Sequence, residues 1–223
     1  MIVGVDPASE EAPVRAIRLL RAGGLVAFPT DTFYALGASA LDEPAVRRVF
    51  VAKRRPPSEP LPVFVADRDQ WGALVAGIPD TARRLADRFW PGALTIVCRR
   101  APATPAVLAG GGETIGVRQP ALPIVLGLCG ALGGPIVGTS ANRHGAPAPV
   151  TAIQVVLELG AEVDMILDGG RCPLARPSTV IDVTRHPPMI VRPGAVPLDA
   201  VRETIGEVVG PGEGTALARA ERR

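Results

Sequence analysis

Six short segments of the chain put hydroxyl, amide and cationic side chains where an apolar run gives way to a loop. The first, Phe28 to Gly37, sets Thr30, Asp31 and Thr32 between Pro29 and Gly37, directly after the apolar run Leu25–Phe28. In open α/β sheets ligands sit beyond the carboxyl ends of strands, so two hydroxyls and a carboxylate on a stiff loop can grip one there. The same residue types also satisfy local backbone groups in an ordinary turn. The second segment is basic: Arg47, Arg48, Lys53, Arg54 and Arg55 fall within nine residues that contain no acid, followed by Pro56-Pro57. At a helix end, Lys53 and Arg55 either clamp a polyanion or simply complement the helix dipole. The third, Thr114 to Pro120, ends an apolar strand on Arg118. An enclosed guanidinium there needs an anion, whether a ligand's or a structural carboxylate. The fourth, Gly138 to Gly145, carries Thr139, Ser140 and Asn142 between glycines that permit close approach of a phosphate or ribose. His144 beside them reads as a loop residue rather than a base. The fifth and sixth, Arg176–Asp182 and Val191–Gly194, place Ser178 and Arg192 at strand boundaries.

Jointly these loops bring Lys53, Arg55, Arg118 and Arg192 together with small hydroxyl donors. That set suits a triphosphate and a second, carboxylate-bearing ligand. The chain has no G-x-x-x-x-G-K-[ST] phosphate loop, no C-x-x-C, and only His144 and His186 as histidines. These absences argue against a phosphate-loop enzyme, a histidine metal site and a Ser-His-Asp triad. With no acid/base pair and no nucleophile, the chemistry would rest on positioning and charge neutralisation, as in nucleotidyl transfer.

The elements that must hold these segments read as alternating helices and short apolar strands. A helix is predicted over 9–22, with acids in its first turn and Gly23-Gly24 as its stop. Asp42 caps a second helix that tolerates Pro44 early and runs to about Ala52. Further helices are expected over 81–89, 122–132, 151–159 and 198–208. Strands are expected over 25–28, 61–66, 94–98, 114–118 and 135–138, then near 164–167, 178–183 and 189–192. Alternation at this density predicts an α/β domain, and the continuous apolar strands a sheet covered on both faces. Residues 1–209 are expected to form one domain, and Gly210–Arg223 a flexible tail.

Composition narrows the classes further. Gly 25 and Pro 24 make about a fifth of the 223 residues, roughly twice ordinary usage. The 47% hydrophobic content nevertheless excludes a disordered low-complexity chain, because it can bury enough surface to offset ordering entropy. No run of 18 residues drawn from Ala, Val, Ile, Leu, Met, Phe, Trp, Tyr and Cys occurs, which excludes a membrane-spanning helix. Met1–Asp6 does not resemble a signal peptide, and Cys98, Cys129 and Cys172 read as buried thiols in a reducing compartment. The expectation is a cytoplasmic protein. A formal charge of +2 specifies no partner, so any phosphate site must come from local clustering.

In order and spacing, F-P-T-D-T-F-Y-A-L-G, K-R-R-P-x-x-x-P-L, F-W-P-G-A-L-T, V-R-x-P, T-S-A-N, D-G-G, P-S-T-V and V-R-P-G resemble the YrdC-type threonylcarbamoyl-AMP synthases. The likeness runs from about residue 10 to residue 205. It implies a twisted mixed α/β sheet flanked by helices, with a basic concave cleft. It implies synthesis of threonylcarbamoyl-AMP and pyrophosphate from L-threonine, bicarbonate and ATP, for the threonylcarbamoyl modification of adenosine 37 in tRNA. By this resemblance the catalytic signature falls on Lys53, Arg55, Ser140 and Asn142. Threonine falls to Thr32, Arg118 and Ser178, and ATP to Arg55, Thr114, Ser140 and Arg192. ATP is then a substrate, with Mg²⁺ carried through its phosphates and no metal site built by the protein. Downstream tRNA-modifying transferase proteins, and weak binding of tRNA or double-stranded RNA, are the partners implied.

The chain departs from the family pattern at Phe33-Tyr34-Ala35 (often V-Y-G), at Phe64 (often His), at Gly138-Thr139, at Ala148 and at Pro177 (usually Glu). Phe64 and Pro177 bear on the amino-acid side. They motivate the alternative of a divergent paralogue acting on another carbamoyl or amino-acid substrate. A non-catalytic RNA-binding module is the alternative of another class. The extra C-terminal domain of the family's long members is expected to be absent, so that the lid it supplies is absent or replaced.

Overall fold

Short strands and short helices alternate along the chain in a computed structural model that describes residues 1–4, 11–211 and 213. In the first half these are β1 (Ile2–Gly4), α1 (Glu11–Arg21), β2 (Val26–Phe28), β3 (Ala35–Gly37), α2 (Glu43–Lys53), β4 (Val63–Phe64) and α3 (Arg68–Leu74). Then come α4 (Asp80–Phe89), β5 (Leu94–Arg99), β6 (Thr114–Arg118), α5 (Pro123–Leu132), β7 (Ile136–Val137) and β8 (Thr139–Ser140). The last are α6 (Ala152–Leu159), β9 (Met165–Asp168), β10 (Thr179–Asp182), β11 (Met189–Arg192) and α7 (Leu198–Ile205). The first two residues of the predicted first helix, and residues 212 and 214–223 of the predicted tail, lie outside the described residues. Among the described residues no helix is long and apolar enough to cross a membrane.

The strands form two mixed sheets. One has the order β1-β9-β2-β3-β8, parallel from β1 to β2 and antiparallel beyond. The other has the order β11-β10-β5-β6-β4-β7 and mixes both senses. The α/β class is as expected; the strands divide between two ladders where a single sheet was predicted. The division is made at Gly138, which separates β7 in one sheet from β8 in the other. A Cβ there would sit 2.5 Å from the Phe64 ring, so only glycine lets the backbone pass so close. The Val137 N–H donates to the Ala38 carbonyl at 2.9 Å, stitching the two sheets at the same seam.

Helix α2 shows how local sequence aims the site. Asp42 accepts from the Ala45 N–H at 3.3 Å and Pro44 takes the first turn, so the start is capped as predicted. Val46, Val49 and Phe50 bury one face. Arg54 then adopts a left-handed conformation (φ 51°), its N–H returning to the last turn. That reversal sends the neighbouring Lys53 and Arg55 to different places. A large apolar cluster, with Trp71 and Trp90 edge to face at 4.8 Å, fills the interior beneath the strands. Each such fully buried side chain contributes about 1.5–3 kcal/mol, which fixes the strand ends that carry the polar residues.

Candidate functional site

The seam between the sheets opens into a cavity of about 210 Å³. Thr30 and Thr32 enter from the loop after β2, Arg55 from beyond α2, and Arg118 from the end of β6. Ser140 comes from β8, Ser178 precedes β10, and Arg192 ends β11. Six predicted site residues, Thr32, Arg55, Arg118, Ser140, Ser178 and Arg192, therefore meet on one wall-to-wall surface. Lys53, Thr114 and Asn142 do not line it. Three guanidiniums and no carboxylate line the cavity among the described residues, so its chemistry favours an anionic ligand.

Arg118 is 3% exposed and held from three sides. Its Nη2 donates to Asp31 Oδ1 at 2.6 Å, Nη1 to Thr32 Oγ1 at 3.0 Å, and Nε to the Gly92 carbonyl at 2.8 Å. Its Cζ lies 5.7 Å from the Phe64 ring centroid. Burial pulls its pKa down, the Asp31 carboxylate opposes that, and Arg192 adds to the lowering. The structural carboxylate that an enclosed arginine could require is thus present as Asp31. Three of its N–H groups are committed, and the rest remain for a ligand.

Thr30 donates its single O–H to the Phe33 carbonyl at 2.7 Å and accepts from the Thr32 and Phe33 N–H groups at 3.1 and 3.2 Å. Its hydroxyl also lies 2.9 Å from that of Thr32, with either oxygen able to donate. Thr32 Oγ1 accepts from Arg118 and presents its remaining hydrogen-bonding capacity to the cavity. Across the cavity, Arg192 Nη2 donates to Ser178 Oγ at 3.0 Å, and Ser178 Oγ lies 2.9 Å from Thr95 Oγ1. Whichever member of that pair donates to the other, one O–H remains, suited to a carboxylate or phosphate oxygen. Burial lowers the Arg192 pKa. Thr95 was not singled out from sequence. Its only signal is a hydroxyl within an apolar strand, which chain position alone does not assign to a site.

Behind this surface, Lys53 is 2% exposed, and its Nζ donates to the Ser140 and Asn142 carbonyls, the latter at 2.5 Å. Burial, and then the charge of Arg55, push its pKa down to about 7, opposed by Glu158. The two carbonyl acceptors favour the ammonium. Asn142 donates its amide to the Arg143 and Ala146 carbonyls at 2.9 and 2.6 Å, leaving Oδ1 buried and unpartnered. Thr114 lies at the opposite end of β6 from Arg118, beside Arg99. Arg55 at the cavity has its pKa lowered by burial and supported by Glu59. Pro177 and Ala148 line the cavity; Phe64 stands behind Arg118. No group of three or more His, Cys, Asp or Glu placed to hold a metal occurs among the described residues.

Fold and site together define an α/β protein with an arginine- and hydroxyl-lined cavity at the junction of two mixed sheets. The family model Sua5/YciO/YrdC, described as telomere recombination, matches residues 18–194, and the chain belongs to this family. It is similar to the threonylcarbamoyl-AMP synthase of Pyrococcus abyssi, 44% identical over 209 residues, covering 93% of this chain and 62% of the relative. It is also similar to the threonylcarbamoyl-AMP synthase of Bacillus subtilis, 40% identical over 199 residues, covering 88% of this chain and 56% of the relative. Among solved structures it resembles P. abyssi Sua5 complexed with L-threonine, with a TM-score of 0.92 and 42% identity, covering 95% of this chain and 62% of that one. The chain thus spans about six tenths of the length of these relatives.

Proposed function

We propose that this chain makes threonylcarbamoyl-AMP from L-threonine, bicarbonate and ATP, releasing pyrophosphate. The observation that carries the reading is the single cavity in which three guanidiniums and the hydroxyls of Thr32, Ser140 and Ser178 face one another without a carboxylate. Similarity to proteins named threonylcarbamoyl-AMP synthase, and to one solved with L-threonine, supports it. Threonine would lie between the Thr32 hydroxyl on the side of its amine and the Arg118 and Ser178 donors that suit its carboxylate. The amine attacks the bicarbonate carbon, water leaves, and the resulting carbamate oxygen attacks the α-phosphorus. The bond to the β-phosphate then breaks and pyrophosphate departs. Arg55, Ser140 and Arg192 would hold ATP and neutralise the leaving pyrophosphate, acting by position and charge rather than by proton transfer. Thr114 joins that set on the resemblance alone.

Lys53 and Asn142 would serve this chemistry by holding the Ser140 loop, since Lys53 binds its carbonyls from behind. The cavity offers no carboxylate to a metal, so Mg²⁺ would arrive on the phosphates of ATP and supply further charge neutralisation there. We place the enzyme in the cytoplasm, passing its product to a tRNA-modifying transferase. Residues 1–209 would form the catalytic domain. The test measures pyrophosphate release by the purified chain with ATP and a panel of amino acids. Release that requires both threonine and bicarbonate is expected. Faster release with another amino acid would favour the paralogue reading suggested by Pro177 and Phe64. No release, with tRNA binding whose salt dependence falls as arginines are removed, would favour an RNA-binding module.

A further inference from the structure

The loop after α2 and the loop after β8 are clasped together at the rim of the cavity. Lys53 Nζ holds two carbonyls of the second loop, and the His144 N–H donates to the Lys53 carbonyl at 2.7 Å. Glu59 completes the clasp from outside. Its Oε2 lies 3.1 Å from Arg55 Nη2 and its Oε1 lies 3.3 Å from His144 Nε2. The Pro60 carbonyl accepts from the same Nη2 at 3.0 Å. Nη2 is therefore engaged at the rim by one hydrogen bond and one ion pair, while Arg55 Nε stays buried without a partner and the side chain lines the cavity.

We infer that Glu59 is a positioning residue for Arg55: by gripping Nη2 against His144, it turns the remaining N–H groups of the guanidinium toward the nucleotide. The inference rests on the reading of Arg55 as an ATP contact. Two effects of the carboxylate compete. It pre-orders a long side chain that would otherwise be immobilised on binding, and it repels a polyanion. Glu59 does not line the cavity and its side chain is 38% exposed, so solvent weakens the repulsion and pre-ordering wins.

The experiment compares wild type, Glu59→Ala and Glu59→Gln by calorimetric titration with ATP and, separately, with L-threonine, alongside thermal unfolding. Glu59→Ala is expected to weaken ATP binding about two- to tenfold, the cost of ordering one long side chain. Glu59→Gln, which keeps an oxygen for Arg55, recovers most of that loss. Threonine affinity and the unfolding midpoint hold, since an ion pair whose carboxylate is open to solvent contributes little to stability. Unchanged or tighter ATP binding by Glu59→Ala overturns the inference, as does an equal loss for threonine. Absence of ATP binding by wild type overturns the nucleotide reading itself, and so marks a different failure.

Discussion

Replacing Lys53 by Met tests the cost of the cation buried behind the Ser140 loop. Its pKa is pushed from the ordinary 10.5 down to about 7, so between those values the unfolded chain holds a proton that the folded chain lacks. Stability must then rise with pH across that window, by up to about 1.36 kcal/mol per unit from this group. Integrated from pH 7 to 8.5, the gain is on the order of 1–2 kcal/mol. The absolute stability of Lys53→Met at one pH is not diagnostic. Removing the charge relieves a burial cost, yet the Ser140 and Asn142 carbonyls lose their donor, at about 1–3 kcal/mol for each buried group left unsatisfied. The slope separates these effects. The buried thiols of Cys98 and Cys129, pushed up to about 12, act in the opposite direction as pH rises through 9, but both proteins share them. Urea unfolding of both proteins at pH 7 and 8.5 should show wild type gaining on the order of 1–2 kcal/mol relative to the variant, at equal m-values. Parallel pH dependences would mean that the carbonyl cage keeps the ammonium charged and that burial does not dominate at Lys53.

Other substitutions read neighbouring parts of the site. Asp31→Ala strips the counter-ion from a buried guanidinium and should cost about 3–5 kcal/mol, a fall of roughly 6–20 °C in unfolding midpoint followed by circular dichroism. A fall under 2 °C would show that solvent reaches Arg118 far more than its burial implies. Gly138→Ala puts a methyl against a Phe64 ring held between Phe28 and Arg118, and should cost about 1–3 kcal/mol by denaturant unfolding. Arg118→Ala should weaken threonine binding far more than ATP binding in calorimetric titration; equal losses would contradict the division of the cavity.

How far the sequence carries depends on how local each signal is. Asp42, Pro44 and the apolar face of α2 are read within a dozen residues, and the helix ends within one residue of its expected limit. The segment Leu61–Ala66 reads as a six-residue strand because all its residues are apolar, yet only Val63 and Phe64 find partners on both sides. Ala35–Gly37 and Thr139–Ser140 read as ligand loops but pair with each other as buried strands, leaving only their edges at the cavity. Helix α3 went unassigned, although Asp67 accepting from the Gln70 N–H is a capping pattern visible in sequence. What no local reading supplies is pairing at a distance. Asp31 meets Arg118 across 87 positions, and Ser178 meets Thr95 across 83, because two sheets fold those strand ends together. The cationic residues were legible as a set; which of them face the cavity was not. Lys53 and Arg55, two apart in sequence, are parted by the left-handed turn at Arg54.

In the proposed function one cavity joins an amino acid, bicarbonate and a nucleotide. The most direct measurement incubates the purified chain with ¹⁴C-bicarbonate, ATP and L-threonine, and separates the nucleotides by chromatography. Label is expected on a new adenylate that forms only when threonine is present. That label should vanish when the three cavity arginines are replaced in a protein that still folds. Label that never reaches an adenylate, although wild type binds both threonine and ATP, would contradict the proposed function.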